Sequence, residues 1–427
     1  CGVACPSGNS TVCQPYGEYC YADLGGEACA TPAPPSSTPV PPTPVPPTPL
    51  PPTMSQPSAT PPPPPPPPPP GPISLEDSEN RMIAYLGNWQ ACPTASQIAE
   101  YTHIVIAFAV TYTWNPTQNL CSQDCTIGYP VPICENIDQQ ELVDEWRAMG
   151  KKVILSFGGA GMGGSWAGDN NDCWEYCYGR QQSVINQLNN IVEKQNFDGV
   201  DIDFEYHYDT QAAQDFLEDI TVGLKTTLPS GQNIITHAPM EPDVVEGTAY
   251  YNILKNNAAY LDFLLPQYYN GFTRPAIDGL SDSSNGSRPN ALPHYNTLVT
   301  KMFGGDATKV VFGFCISDCS GTGSNASGQQ AASVMTQLHS THTCNGGAFF
   351  WVVNHDTNGA WSNEVNGAIS SSSSCGAGPP TPTIAPPPTN PSPTNPPPTN
   401  SPPSSTPPPP PPPPPGVELV ASGGARC

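Results

Sequence analysis

The sequence has few basic residues and no long apolar segment. Its 427 residues include 13 Lys+Arg against 36 Asp+Glu, which gives a formal net charge of −23 at pH 7. Binding to nucleic acid or to an anionic membrane surface requires a basic face, and so acidic a chain offers none. The longest apolar run, Ile104 to Val110, covers seven residues, whereas a transmembrane helix needs ~20. We therefore expect neither nucleic acid nor a membrane as a partner.

The chain also begins at Cys1, without a methionine and without a charged segment followed by an apolar one. We expect from this that a signal peptide is absent from the chain. Its 16 cysteines favour an oxidising compartment over the cytosol. The sequence thus predicts a secreted, extracellular protein, which we expect to be a monomer.

Proline is scarce in the middle of the chain and abundant on both sides of it. Only 11 of the 59 prolines lie within residues 74–375. Residues 31–72 and 376–415 are rich in Pro and Thr, and such segments cannot pack a core. They predict disordered linkers of polyproline II type. Between them we expect one catalytic domain over residues 73–375, a length that suits a single α/β barrel.

The two ends of the chain predict small additional parts. Residues 1–30 contain five cysteines together with Tyr16, Tyr19 and Tyr21. This composition beside a linker favours a cystine-rich, carbohydrate-binding module over a cystine knot whose tyrosines only pack. Such a module would raise the effective concentration of an insoluble substrate. Residues 416–427 end on a single cysteine, and we interpret them as the truncated start of another module.

The central domain alternates short apolar runs with helical patterns. Apolar residues at helical spacing indicate two amphipathic helices, around Val184 to Val192 and around Phe216 to Leu224, the second with Asp209 or Thr210 as its N-cap. Eight apolar, β-branched runs predict strands: Met82–Leu86, Ile104–Val110, Lys152–Phe157, Gly199–Phe204, Ile234–Ala238, Phe263–Tyr268, Val310–Cys315 and Ala348–Val353.

Eight repeats of strand and helix predict the α/β fold called the (β/α)₈ or TIM barrel, in which the strands are parallel. An open, doubly wound sheet is the alternative. That fold would carry a glycine-rich phosphate turn after its first strand, and the residues after Leu86 contain no such turn.

Three acids alternate along the fourth predicted strand. Asp201, Asp203 and Glu205 share one face because side chains of a strand point alternately to its two sides. In a barrel they would face the lumen and climb towards the C-terminal mouth, where barrel active sites lie. We name these three residues the carboxylate ladder.

Like charges in a low-dielectric interior cannot all ionise. We therefore expect a coupled set in which Asp201, the deepest acid, shares a proton with Asp203, and in which Glu205 is poised as a general acid. The same acids are also consistent with a Ca²⁺ or Mg²⁺ site. However, such acids usually lie on glycine-bearing loops rather than in an apolar strand, and we expect no metal and no cofactor.

Cysteines follow the second, third and seventh predicted strands. Disulfides there would pin the loops at the catalytic face, although their connectivity is not predicted. A zinc site is the alternative, disfavoured by secretion and by the lack of paired histidines. The cysteines concerned are Cys121, Cys125, Cys134, Cys173, Cys177, Cys315 and Cys319.

The fourth strand resembles a known signature. Asp198, Asp201, Asp203 and Glu205 are similar to the D-x-x-D-x-D-x-E pattern of glycoside hydrolase family eighteen, the chitinases. The resemblance extends over about residues 80–356 and is to the plant-type and bacterial small enzymes (hevamine-like or chitinase D-like), which lack an inserted α+β domain. Further motifs carry it: Ser156-Phe157-Gly158-Gly159 resembles the third-strand S-x-G-G, Gln267-Tyr268-Tyr269-Asn270 resembles the sixth-strand Q-x-Y-N, and Ala238-Pro239-Met240-Glu241 resembles, with one residue inserted, the fifth-strand A-P-E region.

The resemblance implies a retaining, substrate-assisted reaction, an exception to the usual pair of carboxylates. Glu205 would protonate the glycosidic oxygen, and the substrate's own 2-acetamido group would attack the anomeric carbon. Asp203 would orient the acetamido N–H and Tyr269 its carbonyl, while Asp201 would complete the catalytic set and accept a hydrogen bond from Ser156. The substrate-binding residues implied are Tyr85, Phe108, Gly159, Met240, Gln267, Asn270 and Trp351.

The predicted function is that of an endo-acting chitinase, with chitin or N-acetylglucosamine oligomers as partners. About thirty residues separate the seventh and eighth predicted strands. They leave no room for an inserted domain, so we expect a shallow, open cleft and endo-acting cleavage. Two alternatives are an endo-β-N-acetylglucosaminidase acting on N-glycan cores and a catalytically silent chitin-binding lectin. The lectin is disfavoured because Asp203, Glu205 and Tyr269 are all present.

Overall fold

The computed structural model describes residues 80–163, 171–280, 284–285, 288–319 and 321–370. The predicted N-terminal module, both Pro-rich linkers and the C-terminal tail lie outside these residues.

The central domain is built on eight parallel strands, hydrogen-bonded in the order β7-β8-β1-β2-β3-β4-β5-β6. A parallel bridge between Leu264 and Val310 joins the two ends of this sheet, so the sheet closes into a barrel. The strands are β1 (Arg81–Gly87), β2 (His103–Ala109), β3 (Lys152–Gly158), β4 (Gly199–Asp203), β5 (Ile234–His237), β6 (Phe263–Leu264), β7 (Phe312–Cys315) and β8 (Gly347–Trp351).

Helices follow the strands along the chain. The connection after β1 contains a 3₁₀ helix, Ile98–Glu100, and a π-helical turn, Leu298–Met302, continues α6. Two-residue ribbons pair Tyr112–Thr113 with Leu120–Cys121 and Ser284–Asn285 with Arg288–Pro289. The α-helices of the described residues are α1 (Gln140–Ala148), α2 (Gln181–Lys194), α3 (Gln211–Thr227), α4 (Ala249–Asn256), α5 (Pro275–Asp278), α6 (Ala291–Thr297), α7 (Gly328–Thr341) and α8 (Ala360–Ser370).

This architecture confirms the predicted (β/α)₈ barrel, and each of the eight predicted runs overlaps one of its strands. The main difference is β6, which covers two residues rather than the run to Tyr268. Pro266 lacks an N–H and cannot donate to the ladder, and the Tyr268 N–H turns back to the Pro266 carbonyl at 3.1 Å.

Alternation along the strands separates two apolar layers. Along β1, Met82, Ala84 and Leu86 belong to the large layer between the strands and the surrounding helices. Ile83 and Tyr85 belong to a smaller layer inside the barrel. The barrel interior is thus packed by side chains, and polar groups within it stand out as candidates for function.

The two predicted amphipathic helices are α2 and α3. The predicted apolar residues of both are buried against the barrel. Thr210 is the N-cap of α3, and its hydroxyl accepts a hydrogen bond from the Ala213 N–H at 3.2 Å. Of the two N-cap candidates, Thr210 rather than Asp209 therefore caps the helix.

Disulfides join the connections that follow the strands. The predicted disulfides at the catalytic face are present, with the pairings Cys92–Cys134, Cys121–Cys173, Cys125–Cys177 and Cys315–Cys319. Cys344 is also disulfide-bonded.

No helix of the described residues combines the length and the apolar character needed to span a bilayer.

Candidate active site

The carboxylate ladder lies at the C-terminal half of β4 and in the residues just after it. Asp201, Asp203 and Glu205 are 0%, 4% and 6% exposed. The intervening side chains, from Val200 to Phe204, pack in the outer apolar layer. The acids therefore point into the barrel, as the alternation predicts, and they end at the mouth.

Asp201 is held by three hydroxyl groups from three different strands. Tyr85 Oη on β1 donates to its Oδ2 at 2.9 Å, and Ser156 Oγ on β3 donates to the same oxygen at 2.7 Å. Thr236 Oγ1 on β5 donates to Oδ1 at 2.7 Å. Burial raises the pKa of the Asp201 carboxyl, and these three hydrogen bonds oppose that rise.

Thr236 was not among the residues predicted for the site. It lies beside Asp201 because the register of β4 and β5 pairs these two residues. One signal was available in the sequence, since Thr236 is a polar residue at an inward position of an otherwise apolar strand. The register that brings it to Asp201 depends on tertiary pairing.

The two upper acids share one amide. Gln267 Nε2 donates to Asp203 Oδ1 at 3.0 Å and lies 3.1 Å from Glu205 Oε1. Gln267 Oε1 accepts from Asn270 Nδ2 at 3.0 Å, which fixes the orientation of the amide with its nitrogen towards the acids. The predicted Q-x-Y-N segment thus places Gln267 in contact with the two upper acids of the ladder, and Asn270 in contact with Gln267.

Burial raises the pKa of the Asp203 carboxyl well above its usual range. The neighbouring Glu205 and Asp201 carboxyls raise it further, and the hydrogen bond from Gln267 lowers it in part. Like-charge proximity in a dry site allows only some of the acids to ionise. The ladder therefore retains a proton at Asp203 at pH values where an exposed aspartate is ionised.

Tyr269 lies beside the ladder on the segment after β6. It is buried, and burial together with the Asp203, Glu205 and Asp201 carboxyls raises the pKa of its phenol well above its ordinary value. The phenol therefore remains protonated. It is available as a hydrogen-bond donor close to the acids.

Aromatic rings surround the mouth above the ladder. Trp351 at the end of β8 is half-buried, with Phe108 stacked against it at a centroid distance of 5.9 Å and an interplanar angle of 16°. Tyr85 lies 6.1 Å from Trp351, and Trp89, which is 47% exposed, lies 6.2 Å from it. This group forms an apolar surface suited to the face of a sugar ring.

The glycine at the end of the S-x-G-G segment is required by close approach. Gly159 has φ +74°, and a Cβ on it would lie 2.6 Å from the ring of Phe108. Its N–H donates to the Asp203 carbonyl at 2.8 Å. The residue joins β3 to β4 and provides space for an aromatic ring of the site.

The first acid of the four-acid pattern has a different position. Arg147 donates to Asp198 through Nε and Nη2 at 3.1 and 3.0 Å, and the Val153 N–H donates to the same carboxylate at 2.8 Å. Asp198 precedes β4, at the opposite end of the strand from the mouth. It ties α1 and β3 to β4, and it lies apart from the ladder.

Met240 is buried, and its backbone pairs with that of Gln267 in a parallel bridge. The next residue, Glu241, accepts hydrogen bonds from the N–H and the hydroxyl of Thr273 at 3.1 and 2.8 Å. The fifth-strand segment therefore places Met240 beside the site, while Glu241 is bonded to the loop after β6.

Sequence reasoning also missed Asp243, which follows β5. It is buried, and its side chain is hydrogen-bonded to Tyr208. Burial raises its pKa to about 7, with the Glu205 carboxyl among the smaller causes. No feature of the surrounding sequence distinguishes this acid from an exposed loop residue.

The described residues contain no group of three or more His, Cys, Asp or Glu side chains arranged to hold a metal ion. Asp201, the deepest acid, has its oxygens occupied by hydroxyl donors.

A parallel barrel with coupled acids rising to an aromatic-lined mouth defines a barrel enzyme built for acid–base chemistry on a ligand with apolar faces. The family model described as Glycosyl hydrolases family 18 matches residues 81–365. The chain belongs to this family, and it is a glycoside hydrolase.

Individual relatives share limited sequence identity with this chain. A chitinase of Enterococcus faecalis is 32% identical over 133 residues, which are 30% of this chain and 35% of that protein; the matched part thus spans about a third of that curated relative. Among solved structures, the catalytic domain of a chitinase from the fern Peteris ryukyuensis has a TM-score of 0.50 and 17% identity, covering 68% of this chain and 99% of that one. A chitinase from Pseudoalteromonas aurantia has a TM-score of 0.48 and 22% identity, covering 69% and 100%.

Proposed function

We propose that the chain is an endo-acting chitinase that hydrolyses β-1,4 linkages between N-acetylglucosamine units with retention of configuration. The observation that carries this proposal is the shared amide of Gln267, which holds Asp203 and Glu205 together beneath an aromatic mouth. The Enterococcus faecalis relative bears the name chitinase, which supports chitin as the substrate.

In the first step, Glu205 acts as the general acid. Its proton passes to the glycosidic oxygen, the bond from that oxygen to the anomeric carbon breaks, and the substrate's acetamido carbonyl oxygen attacks the same carbon. An oxazolinium ion and a free sugar hydroxyl result. Asp203 accepts a hydrogen bond from the acetamido N–H, and the neutral phenol of Tyr269 donates one to the carbonyl oxygen, so both groups orient the internal nucleophile.

The second step reverses the proton transfer. Glu205, now ionised, removes a proton from a water molecule that attacks the anomeric carbon and opens the oxazolinium ring. Two displacements on one carbon give overall retention. Asp201, which accepts hydrogen bonds from three hydroxyl groups, and Asp203 together share the negative charge that the ladder places below the cationic intermediate.

Endo-acting cleavage is supported by the connection between β7 and β8. In the described part of that connection, α7 is the one α-helix, and no additional sheet is present. The mouth therefore lacks the wall that an inserted domain would provide. An open cleft admits the interior of a polymer chain, whereas a tunnel or a deep cleft favours chain ends.

The test compares two substrates and follows the product. The protein is expected to release oligomers from colloidal chitin and to leave the glycans of a high-mannose glycoprotein intact. Proton NMR early in the hydrolysis of an N-acetylglucosamine oligomer is expected to detect the β-anomer first. Release from the glycoprotein alone would instead support an endo-β-N-acetylglucosaminidase, and binding to chitin without any release would support a lectin.

A further inference from the structure

Trp351 has a polar contact that the proposed reaction does not use. Its Nε1–H donates to Asp318 Oδ2 at 3.1 Å. Asp318 follows β7, and its side chain is 45% exposed. An exposed carboxylate therefore holds the indole that lines the mouth.

The segment that carries Asp318 is itself fixed in place. The Cys315–Cys319 disulfide closes it, and the Cys319 N–H donates to Asn325 Oδ1 at 2.8 Å. The Ile316 N–H donates to the backbone carbonyl of Trp351 at 2.9 Å. Asp318 thus stands on a short closed loop whose backbone is bonded to the residue that its side chain holds.

The same connection reaches the other side of the mouth. Thr322 Oγ1 donates to the backbone carbonyl of Tyr269 at 2.8 Å. A single loop therefore bonds both to the aromatic surface and to the tyrosine beside the ladder.

Among the described residues, the Trp351 ring also contacts three aromatic side chains. Phe108, Tyr85 and Trp89 lie at centroid distances of 5.9, 6.1 and 6.2 Å. Aromatic pairs at such distances adopt both offset-stacked and edge-to-face arrangements, so they do not by themselves select one rotation of the indole. A hydrogen bond to a carboxylate is directional and stronger than a neutral one, so the contact to Asp318 defines the rotation of the indole.

We propose that Asp318 is a positioning residue that sets the plane of the Trp351 indole on which the reacting sugar lies, an inference that rests on the proposed function. The second carboxylate oxygen, Oδ1, lies 3.4 Å from His355 Nε2. His355 thus lies beside the carboxylate oxygen that Trp351 does not contact. Asp318 acts through Trp351 and does not take part in the proton transfers.

The test compares three variants of the full chain. Asp318→Ala removes the acceptor, Asp318→Asn keeps an oxygen acceptor while removing the charge, and Ser317→Ala changes an exposed neighbour on the same loop. On a soluble N-acetylglucosamine oligomer, we expect kcat/KM to fall about 10-fold in Asp318→Ala, equivalent to about 1.4 kcal/mol of transition-state stabilisation. We expect it to stay within about 3-fold of wild type in Asp318→Asn and unchanged in Ser317→Ala.

A second readout does not require a substrate. In protein labelled with ¹⁵N-tryptophan, the indole N–H cross-peak of Trp351 is identified by its loss in Trp351→Phe. We expect this cross-peak to move and its hydrogen exchange to accelerate in Asp318→Ala, while the melting temperature stays at the wild-type value.

An unmoved cross-peak in Asp318→Ala, an unchanged kcat/KM in that variant, or equal losses in Asp318→Ala and Asp318→Asn would each overturn the proposal. A wild-type protein that leaves N-acetylglucosamine oligomers intact would instead refute the proposed function. The cross-peak would still decide whether Asp318 holds the indole.

Discussion

At the residue scale, the ladder distributes hydrogen-bond donors unevenly. Asp201 accepts from Tyr85, Ser156 and Thr236, whereas Asp203 and Glu205 share the Gln267 amide. Donors stabilise the ionised form of an acid, and burial without donors stabilises the neutral form. The hydrogen bonds thus oppose the rise in the Asp201 pKa, whereas the Asp203 pKa is raised well above its usual range, so a proton is favoured at Asp203 over Asp201.

Removing one donor tests this arrangement. Ser156→Ala leaves a buried carboxylate oxygen with fewer donors, so we expect the free energy of unfolding to fall by about 1–3 kcal/mol. The Asp201 pKa should rise at the same time, so that the proton shared with Asp203 resides more on Asp201. We expect kcat on an N-acetylglucosamine oligomer to fall about 10-fold, within the range attributed to acid–base effects.

The matched control for this prediction is Ser340→Ala, which removes an exposed hydroxyl from α7. It should change neither the urea midpoint nor kcat. Equal behaviour of the two variants would contradict the role assigned to Ser156.

The buried proton at Asp203 predicts a pH dependence of stability. Because the folded pKa of Asp203 is raised, the folded state retains a proton that the unfolded state releases above about pH 4. The stability that this proton provides is complete below the unfolded pKa and is lost as the pH rises through the folded pKa. Asp203→Asn removes the ionisation.

We therefore expect Asp203→Asn to stabilise the fold at pH 8, by about 1 kcal/mol or more, and to have little effect at pH 4. Thermal unfolding at the two pH values measures the difference. Asp209→Asn, at an exposed position after β4, serves as the control and should shift neither melting temperature. A gain that is larger at pH 4 than at pH 8 would be incompatible with a retained proton.

At the element scale, local patterns predicted the strands and helices well. The period of two along β4 gave the inward acids, and the helical period gave the buried faces of α2 and α3. Both periods are set by the backbone of a single element. Contacts between elements were harder to predict, since Thr236 depends on the register of β5 and Asp318 on the path of a loop.

The disulfide pairings show the same difference between patterns within one element and contacts between elements. The positions of the cysteines after the strands indicated loops at the catalytic face, but pairing requires the paths of two loops at once. Cys121 and Cys125 pair with Cys173 and Cys177 respectively, joining the connection after β2 to that after β3. The sequence contains no local signal for that choice.

The N-cap of α3 yields a prediction at this scale. Thr210→Ala removes the hydroxyl that accepts from the Ala213 N–H, and loss of an N-cap costs about 1 kcal/mol. We expect the urea midpoint to fall accordingly with kcat unchanged. Asp209→Ala serves as the comparison, because the sequence alone predicts Asp209 and Thr210 equally as the N-cap. A larger loss in Asp209→Ala than in Thr210→Ala would show that the cap is assigned to the wrong residue.

At the scale of the whole molecule, closure of the barrel assembles the site. Acids from β4, hydroxyls from β1, β3 and β5, an amide from the segment after β6 and an indole from β8 meet at one mouth. No pair of neighbouring elements contains all of these groups. Loss of the barrel and loss of the site are therefore expected to occur together on unfolding.

The role of Glu205 as general acid is tested by comparing the hydrolysis of colloidal chitin by the wild-type protein and by Glu205→Gln. The substitution keeps the size of the side chain and removes its transferable proton. We predict that turnover falls by about 10³-fold or more, while the melting temperature and the retention on chitin stay at wild-type values. Turnover within a few-fold of wild type in a folded Glu205→Gln protein would contradict it.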